Sequence, residues 1–287
     1  MVVYAASYRA QQPRNNDVTT CATVLSTAPL VLITGASSGI GQALAMAYYQ
    51  QGARLALLAR RKDNMLEWAH AQGLDLQRVA VYGADVAQTD SVVAATQQCL
   101  QQQGLPDIVI ANAGISFGVD TSEREDLAVM EQVLATNTMG VAATFHAFIQ
   151  PMRQRGSGIF VGIASVAAIR GLPGHGAYCA SKAAVVAYCE SLRVELYGSG
   201  VNCITILPGY VATPLTRDNT YAMPFLLTPE KFAELAINAI SKHRSYCIIP
   251  WQMAWVGKIM KWLPNPIFDR LVAGRKRKHR HLQPDHS

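Results

Sequence analysis

The sequence predicts an α/β fold: a doubly wound domain with a mainly parallel seven-stranded sheet and helices on both faces. Two observations predict it. Between about residues 30 and 250, short β-branched runs alternate with helical patterns of ten or more residues, which is typical of repeated β-α-β units. Most of the short runs are continuously apolar rather than alternating, as expected for parallel strands covered on both faces.

Seven candidate strands follow one another along the chain. They are LVLIT (30–34), RLALLA (54–59), RVAVYG (78–83), DIVIAN (107–112), GIFVGIA (158–164), VNCITIL (201–207) and YCII (246–249). Helical patterns lie between them, over residues 40–51, 63–72, 88–103, 124–153, 176–198 and 229–243. This alternation, without any repeat of solenoid type, predicts a single doubly wound unit.

The chain divides into four parts. With 287 residues, half of them hydrophobic, it is long enough for one large α/β core. We expect residues 1–29 to be a disordered extension and residues 30–250 to form the folded domain. After Pro250 the pattern changes to an amphipathic, Trp-rich segment over 251–273, and then to a flexible basic tail over 274–287.

The net charge of +6 is concentrated in that tail. Its cations are Arg275, Lys276, Arg277, Lys278 and Arg280. Removing these five leaves +1, so the body of the chain is nearly neutral. The basic pI is therefore not evidence for a nucleic-acid-binding fold, and a nucleic-acid partner is not expected.

The cysteines indicate a reducing compartment. The six are Cys21, Cys99, Cys179, Cys189, Cys203 and Cys247, with no C-x-x-C pair and no histidines at zinc spacing. We interpret them as small buried hydrophobes, with Cys179 more exposed than the others. The most apolar stretch, 247–263, is too short and too charged to span a membrane, and residues 1–29 lack the apolar run of a secretory signal. A cytoplasmic location is expected.

A glycine-rich turn joins the first strand to the first helix. It reads Thr34-Gly35-Ala36-Ser37-Ser38-Gly39-Ile40-Gly41. Such a turn lets backbone N–H groups approach a pyrophosphate at the positive end of the helix. Gly35 would make the turn, Gly39 the close approach and Gly41 the tight helix–sheet packing. An ordinary βα turn is the alternative, but the strand–helix context favours dinucleotide binding.

The ends of the next two strands bear on how the adenosine half of the cofactor would be bound. An acidic residue after the second strand would bind the adenosine ribose 2′-hydroxyl, but this chain has Arg60 and Arg61, whose guanidinium groups suit a 2′-phosphate. NADP(H) is therefore favoured over NAD(H); two solvated loop arginines are the alternative. Asp85, with Val86 beside it, follows the third strand and would accept a hydrogen bond from the adenine amino group, unless Asp85 is an ordinary helix N-cap.

Tyr178 and Lys182 lie four residues apart and share one face of a predicted helix. A free tyrosine has a pKa of about 10, too high for proton exchange at neutral pH. A neighbouring ammonium in a partly desolvated cleft would lower that pKa. The pair is predicted to be a general acid/base with its tuning cation, although the same spacing also occurs on solvated helix faces.

Several motifs occur together in one order. They are TGASSGIG (34–41), Asn112-Ala113-Gly114, Asn137, Ser165, Tyr178 with Lys182, and Pro208-Gly209. Together they resemble the short-chain dehydrogenase/reductase family over roughly residues 30–250. The resemblance implies a single Rossmann-type domain that binds NAD(P)(H) and transfers hydride between nicotinamide C4 and a carbonyl or alcohol. It also implies a homodimer or homotetramer.

The resemblance implies four catalytic roles. Tyr178 would exchange the proton with the substrate oxygen, and Ser165 would hold that oxygen. Lys182 would lower the phenol pKa and hydrogen-bond the nicotinamide ribose. Asn137 would anchor a water that joins Lys182 to solvent.

It also implies which residues surround the cofactor. Asn112 and Gly114 would line the cofactor cleft, and Pro208, Gly209 and Thr213 would flank the nicotinamide. The other expected cofactor neighbours are Ser37, Ser38, Ile40, Val86, Ala113 and Val211.

Two histidines and one loop bear on the substrate. His175, three residues before Tyr178, faces the expected pocket, whereas His146 is expected to be packed or capped. The loop from Tyr210 to Leu227 is expected to cover the pocket. Its apolar residues Tyr221, Met223, Phe225, Leu226 and Leu227 suggest apolar ligands, although such loops also simply pack.

The C-terminal segment leaves two interpretations open. Trp251, Trp255 and Trp262 form an aromatic stripe on a predicted helix that also carries Lys258 and Lys261. The helix could close the substrate pocket or form a subunit interface, or it could dock on an anionic membrane surface. We expect a cytoplasmic NADP(H)-dependent oxidoreductase acting on a carbonyl/alcohol pair; the rival is a dinucleotide-sensing protein that recruits partners or membrane through its C-terminal segment.

Overall fold

The computed structural model describes residues 28–217, 219 and 221–274. The expected basic tail, apart from Gly274, and most of the expected N-terminal extension lie outside these residues. The strands are β1 (Leu30–Thr34), β2 (Arg54–Ala59), β3 (Val79–Gly83), β4 (Ile108–Ala111), β5 (Gly158–Ile163), β6 (Val201–Pro208) and β7 (Tyr246–Ile249). All seven lie where the sequence predicts them, because continuous apolar runs are a strong strand signal when helices alternate with them.

The strands form one sheet in the order β3-β2-β1-β4-β5-β6-β7, and every neighbouring pair is parallel. The order reverses between β1 and β4, where Ile33 pairs with Ile110. In a doubly wound sheet, such a reversal opens a crevice at the carboxyl ends of the strands. The predicted fold class is confirmed.

Ten α-helices occur in the described residues. They are α1 (Gly39–Gln50), α2 (Lys62–Ala71), α3 (Thr89–Gln102), α4 (Asp126–Leu134), α5 (Gly140–Arg155), α6 (Gly176–Glu195), α7 (Pro214–Arg217), α8 (Pro229–Ser241), α9 (Gln252–Trp262) and α10 (Asn265–Val272). The predicted Trp-rich segment thus contains two helices, since Pro264 separates α9 from α10.

The long helix predicted over 124–153 is interrupted. A π-helical turn, Ala135–Met139, lies between α4 and α5, and Asn137 within it is fully buried. Its side chain hydrogen-bonds the backbone of Ile115 and the hydroxyl of Ser181 instead of facing along a regular helix. Single π-helical turns of this kind are frequent at functional sites.

Two apolar layers hold the sheet. Alternate residues of β1 point to opposite faces: Val31 and Ile33 pack with α1, α2 and α8, while Leu30 and Leu32 pack with α3, α5 and α6. Burying both faces explains why the strands are apolar throughout. Within the described residues, no helix is both long and apolar enough to cross a lipid bilayer.

One close contact fixes the position of α6 on the sheet. Gly162 of β5 approaches α6 so closely that a Cβ atom there would lie 2.5 Å from Cys189 Sγ and 3.4 Å from Val185 Cγ1. We therefore expect Gly162→Ala to lower the free energy of unfolding by about 1–3 kcal/mol, the usual cost of overpacking a core. Urea denaturation measures this loss.

The matched control is Gly83→Ala at the end of β3, where a Cβ would meet only Lys62 Cβ at 3.8 Å. Combining Gly162→Ala with Cys189→Ala should recover part of the loss, because the smaller partner removes the overlap. Equal destabilisation by the single and the double variant would show that this contact does not set the packing.

Candidate active site

A cavity of about 640 Å³ opens at the carboxyl ends of the central strands. Its walls come from the segments that follow β1, β4, β5 and β6, and from α6 and α9. The predicted site residues that line it are Ile40, Asn112, Gly114, Ser165, Tyr178, Lys182, Pro208, Gly209, Val211 and Thr213. Residues distant in sequence therefore meet where the strand order reverses.

The glycine turn is built by close backbone contacts. Gly35 has φ +65°, and a Cβ there would lie 2.7 Å from Ala113 Cα. A Cβ at Gly41, inside α1, would lie 2.3 Å from the Gly35 carbonyl oxygen. Gly39 has φ +56° and lies against Thr213. Side chains at these positions would force the turn, β4 and the segment after β6 apart.

Asn112 ties β4 to the glycine turn. Its Nδ2 donates to the carbonyl oxygens of Thr34 (3.0 Å) and Gly35 (3.2 Å). The Thr34 hydroxyl in turn accepts from the backbone N–H groups of Asn112 (3.0 Å) and Ala113 (3.1 Å). The role of the Thr34 side chain was not predicted, because its partners are 78 and 79 residues away in sequence.

The N-terminus of α1 faces the cleft without a capping side chain. Ser38 is the N-cap residue, but its hydroxyl makes no capping hydrogen bond, and the first turn contains no acidic residue. Ser37 and Ser38 are exposed. The first N–H groups of the helix and its positive end are thus directed at the cleft.

The predicted adenosine end lies at the carboxyl ends of β2 and β3. Arg60 and Arg61 are exposed directly after β2. Asp85 accepts a hydrogen bond from the Ala87 N–H (3.0 Å) through Oδ1. Since α3 begins at Thr89, the alternative that Asp85 is a helix N-cap is wrong: the carboxylate closes a tight turn ahead of the helix.

Ser165 and Tyr178 meet across the cavity wall. Ser165 follows β5 and is 8% exposed, and its Oγ accepts from the Ala167 N–H (3.2 Å). Tyr178 lies in the first turn of α6, and its phenol is hydrogen-bonded to the Ser165 hydroxyl. Two hydroxyl groups therefore converge on one point of the cavity surface.

Lys182 lies one turn further along α6. It is 3% exposed; its Nζ donates to the Ile163 carbonyl oxygen (2.9 Å) and lies 5.9 Å from the centroid of the Tyr178 ring. Burial lowers the pKa of Lys182 to about 8, because the ammonium loses its hydration.

The direction of the Tyr178 pKa differs from the expectation. Burial raises the pKa of Tyr178 above its ordinary value, and the hydrogen bond from Ser165 opposes that rise. A depression by Lys182 was expected from sequence spacing alone. In the protein the ammonium donates to a backbone carbonyl oxygen, and desolvation of the phenol is the largest effect on its pKa.

Asn137 connects α6 to the segment after β4. Its Oδ1 accepts from the Ile115 N–H (2.8 Å), and its Nδ2 donates to the Ile115 carbonyl (2.9 Å) and to Ser181 Oγ (2.9 Å). Gly114 lies between this amide and Lys182: a Cβ there would be 3.3 Å from Asn137 Oδ1 and 3.2 Å from Lys182 Nζ. Asn137 is thus next to Lys182 but not hydrogen-bonded to it.

The part of the cavity next to α9 has walls that the motifs did not reveal. Ile169, Arg170, Leu172 and Pro173 follow β5, and Met253, Val256, Gly257 and Met260 project from α9. The only sequence signal was the apolar C-terminal segment, for which closing the pocket was one of the alternatives. The inner side of α9 does close it.

Arg170 fastens α9 and α10 to the cavity. Its Nη1 donates to the carbonyl oxygens of Met260 (2.5 Å) and Leu263 (2.6 Å), and its Nη2 donates to Asn265 Oδ1 (2.7 Å). Its guanidinium also lies 3.9 Å from the centroid of the Phe268 ring. One side chain thus satisfies the end of α9 and holds the start of α10.

The histidines and the covering loop agree only partly with expectation. His175 is 9% exposed and lines the cavity, with Nδ1 3.1 Å from the Pro173 carbonyl and its ring edge-on to Tyr221. His146 is exposed on α5, so of the two expected alternatives, packed or capped, packing is wrong. Of the five apolar loop residues singled out, Tyr221 lines the cavity, whereas the others do not; Phe225 and Leu226 are about half exposed.

The cysteines agree with expectation except at one position. Cys99, Cys189 and Cys203 are buried and Cys247 is partly buried; Cys21 lies outside the described residues. Cys179 is also buried, contrary to the expectation that it would be more exposed, because it lies beside Leu172 and faces a small space bounded by Phe268 and Val272 of α10.

A parallel doubly wound sheet with a glycine-rich turn at the reversal of strand order, and with serine, tyrosine and lysine beside it, defines a dinucleotide-binding oxidoreductase of the Rossmann type. A family model described as short chain dehydrogenase matches residues 29–223. The chain belongs to this family, whose members bind nicotinamide dinucleotides and oxidise alcohols or reduce ketones.

Known proteins agree with this assignment. The chain is 37% identical over 241 residues to an uncharacterized oxidoreductase of Myxococcus xanthus, covering 83% of this chain and 94% of that protein. A short chain dehydrogenase/reductase from Burkholderia phymatum, solved in complex with NAD, is similar with a TM-score of 0.72 and 25% identity over 81% of this chain and 92% of that one. An alcohol dehydrogenase from Thermococcus sibiricus, complexed with 5-hydroxy-NADP, has a TM-score of 0.67 and 28% identity, covering 77% of this chain and 95% of that one.

The buried Lys182 makes a prediction about stability and pH. Its pKa is about 8 in the folded protein and 10.5 as an ordinary lysine, so the unfolded chain binds the extra proton between these values and stability rises with pH there. Below pH 8 the full cost of the buried ammonium remains. We expect Lys182→Met to be more stable than the wild type at pH 7, by at most about 3 kcal/mol at about 1.4 kcal/mol per pKa unit.

That advantage should shrink as the pH rises toward 10, and urea denaturation at a series of pH values measures it. Lys242→Met, at an exposed position, is the matched control. A stability difference at Lys182 that does not change with pH would contradict the assignment of the low pKa.

Proposed function

We propose that this protein is an NADP(H)-dependent oxidoreductase that transfers hydride between the cofactor and an apolar carbonyl or secondary alcohol. The observation that carries the proposal is the meeting of Ser165, Tyr178 and Lys182 on the wall of a cavity that also reaches Ile40, at the start of α1. A proton donor, a buried lysine and a phosphate-suited helix end therefore share one cleft.

The residues present fit a dinucleotide. The uncapped N-terminus of α1 offers N–H groups and a positive helix end to a pyrophosphate, with Ser37, Ser38, Gly39 and Ile40 around it. We propose that Asp85 and Val86 hold the adenine, and that the nicotinamide end is held by residues that follow β4 and β6. These are Asn112, Ala113, Gly114, Pro208, Gly209, Val211 and Thr213.

Arg60 and Arg61 support NADP(H) over NAD(H). They are exposed at the carboxyl end of β2, and the last residue of that strand is Ala59, not an acid. Guanidinium groups at this point attract a 2′-phosphate, whereas a carboxylate would repel it. Solved relatives include complexes of both nicotinamide forms, so the preference rests on these two side chains.

The chemistry is divided between cofactor and protein. When bound, the nicotinamide supplies or accepts the hydride. Tyr178 donates its phenolic proton to the carbonyl oxygen in reduction and accepts the hydroxyl proton in oxidation. Ser165 donates its one hydrogen bond to the same oxygen while Tyr178 is protonated, and to the phenolate oxygen once the proton has moved.

Lys182 and Asn137 would restore the proton. With a pKa of about 8, Lys182 changes protonation near neutral pH. The space beside Gly114, between Lys182 Nζ and Asn137 Oδ1, is where a water would link them, because no side chain fills it. In this proposal, Lys182 also hydrogen-bonds the nicotinamide ribose and reprotonates Tyr178 after each turnover.

The substrate is proposed to be apolar. The cavity wall beyond Tyr178 is formed by Leu172, Val256 and Met260, with Tyr221 opposite His175. Such a lining offers few hydrogen bonds and favours hydrocarbon. We further propose a homodimer or homotetramer in the cytoplasm, with residues 30–250 as the catalytic domain and 251–273 as its closing segment.

The rival function is a dinucleotide sensor without turnover, and one substitution separates the two. Tyr178→Phe should lower kcat by about 10²–10⁴-fold while NADPH binding is retained, because the phenolic proton is lost and the ring stays. A panel of apolar ketones and aldehydes followed by NADPH absorbance measures turnover; fluorescence titration measures binding. Tyr188→Phe, on the same helix but outside the cavity, is the matched control. Unchanged turnover in Tyr178→Phe would contradict the assignment of Tyr178 as the general acid/base.

The cofactor preference has its own test. The double variant Arg60→Ser/Arg61→Ser should raise the KM for NADPH at least about tenfold and leave the KM for NADH within about twofold, because hydrogen bonds to a charged group contribute about 1.5–3 kcal/mol. Arg153→Ser, exposed on α5, is the control. If the wild type turns over NADH much better than NADPH, the interpretation of both arginines fails.

A further inference from the structure

An apolar surface covers the outer side of the two C-terminal helices. We call it the outer face; it consists of Trp251, Trp255, Ile259, Trp262, Ile267 and Leu271, which are 52–85% exposed. The four residues at α9 recur every three or four positions and so share one side of the helix. Three of the four tryptophans of the chain belong to this face.

The opposite side of α9 is already used. Met253 and Gly257 are buried, and Val256 and Met260 line the cavity. Gly257 lies so close to Ile169 that a Cβ would be 2.4 Å from its Cδ1. Packing of the fold therefore uses only the inner side of α9, yet the outer side of the helix is apolar as well. A helix that is apolar nearly all round is normally buried, so the outer face calls for a cover.

Charge identifies the kind of cover. Residues 1–250 contain 17 lysines and arginines and 17 acidic residues, whereas residues 251–287 contain eight cations and two acids. The whole net charge of +6 therefore belongs to the C-terminal part that carries the outer face. Lys258 and Lys261 are exposed on α9, and Lys258 Nζ lies 5.2 Å from the Trp255 ring.

This charge argues against a second copy of the chain as the cover. Two copies joined through their outer faces would bring two segments of like charge together, which is unfavourable. An anionic lipid surface has the complementary charge, and tryptophan beside lysine is the composition of helices that lie in a membrane interface. Each cation near such a surface adds about 1 kcal/mol of attraction.

We propose that the outer face docks on an anionic lipid bilayer, and that the substrate is a carbonyl or alcohol dissolved in that bilayer. The second half rests on the proposed function. It follows from the position of α9, whose outer side would contact lipid while its inner side lines the substrate cavity. Arg170 holds α9 and α10 in this position through hydrogen bonds to both.

Docking is tested with the full chain and two kinds of vesicle. One contains phosphatidylcholine alone; the other is mixed with phosphatidylglycerol. Tryptophan emission should shift to shorter wavelength with the anionic vesicles only, and high salt should reverse it. Trp68, on α2, is the one tryptophan outside the face, so Trp68→Phe leaves a signal from the outer face alone.

The variants separate the two contributions. Trp251→Ser/Trp255→Ser/Trp262→Ser should weaken co-sedimentation with anionic vesicles at least about tenfold, because the apolar anchor is lost. Replacing the five tail cations by glutamine should weaken it at least as much and remove most of the salt dependence. Leu76→Ser/Tyr197→Ser, two exposed apolar positions elsewhere, should bind like the wild type.

Three results would overturn docking: negligible binding to both vesicles, unchanged binding of the triple tryptophan variant, or a dimer in solution that the triple variant abolishes. Retained NADPH binding and an unchanged melting temperature establish that each variant is folded.

The substrate half has a separate readout. A long-chain aldehyde carried in anionic vesicles should be reduced several-fold faster by the wild type than by the triple tryptophan variant, while both reduce a short soluble aldehyde equally. Equal rates on the vesicle-borne aldehyde would overturn the proposed substrate and leave docking intact. Failure of the proposed function would look different: vesicles would bind, but Tyr178→Phe would not change turnover on either aldehyde.

Discussion

The close approach of β1 and β4 at their carboxyl ends is the constraint on which the rest of the structure depends. Gly35 brings the turn against Ala113, Gly41 packs on the Gly35 carbonyl, and Asn112 donates hydrogen bonds to two carbonyl oxygens of the turn. A side chain at either glycine would overlap backbone atoms, which cannot move away at low cost. Because this contact sits where the strand order reverses, it fixes at once the direction of the α1 N-terminus and the start of the segment that reaches Asn137.

The cavity wall that carries Tyr178 and Lys182 reflects a second constraint, the balance between burial and charge. Lys182 is held in the interior by a single backbone carbonyl, and burial lowers its pKa toward neutrality; the same burial raises the pKa of Tyr178. The pKa of the phenol is therefore raised and that of the amine lowered. The four-residue spacing of Tyr178 and Lys182 could not predict either direction, because both depend on burial. Preorganisation thus comes at a cost in stability, which the apolar layers on both faces of the sheet must offset.

Much of this could be predicted from the sequence, for identifiable reasons. The strands are continuous apolar runs, and the glycine turn and the residues at Ser165, Tyr178 and Lys182 lie at strand or helix ends that topology brings to one edge. What could not be predicted depends on contacts distant in sequence. Arg170 reaches carbonyl oxygens 90 and 93 residues away, and the π-helical turn at Asn137 exists because that amide bonds across to Ile115 and Ser181. His146 was misplaced because the expectation rested on lone histidines usually being structural, and this one lies on the exposed side of α5.

The C-terminal helices show why the cavity and the outer surface cannot be considered separately. At Gly257 the backbone of α9 contacts Ile169 directly, with no side chain between them. Only this one helix therefore separates the cavity from the outer surface at that point. One guanidinium joins the end of that helix to the next, since Arg170 satisfies its last carbonyl groups and holds Asn265 at the start of α10. Whatever contacts the tryptophans therefore contacts the same helix that lines the cavity. This wall is one helix thick: its inner side lines the cavity, and its outer side carries the exposed tryptophans together with Lys258 and Lys261.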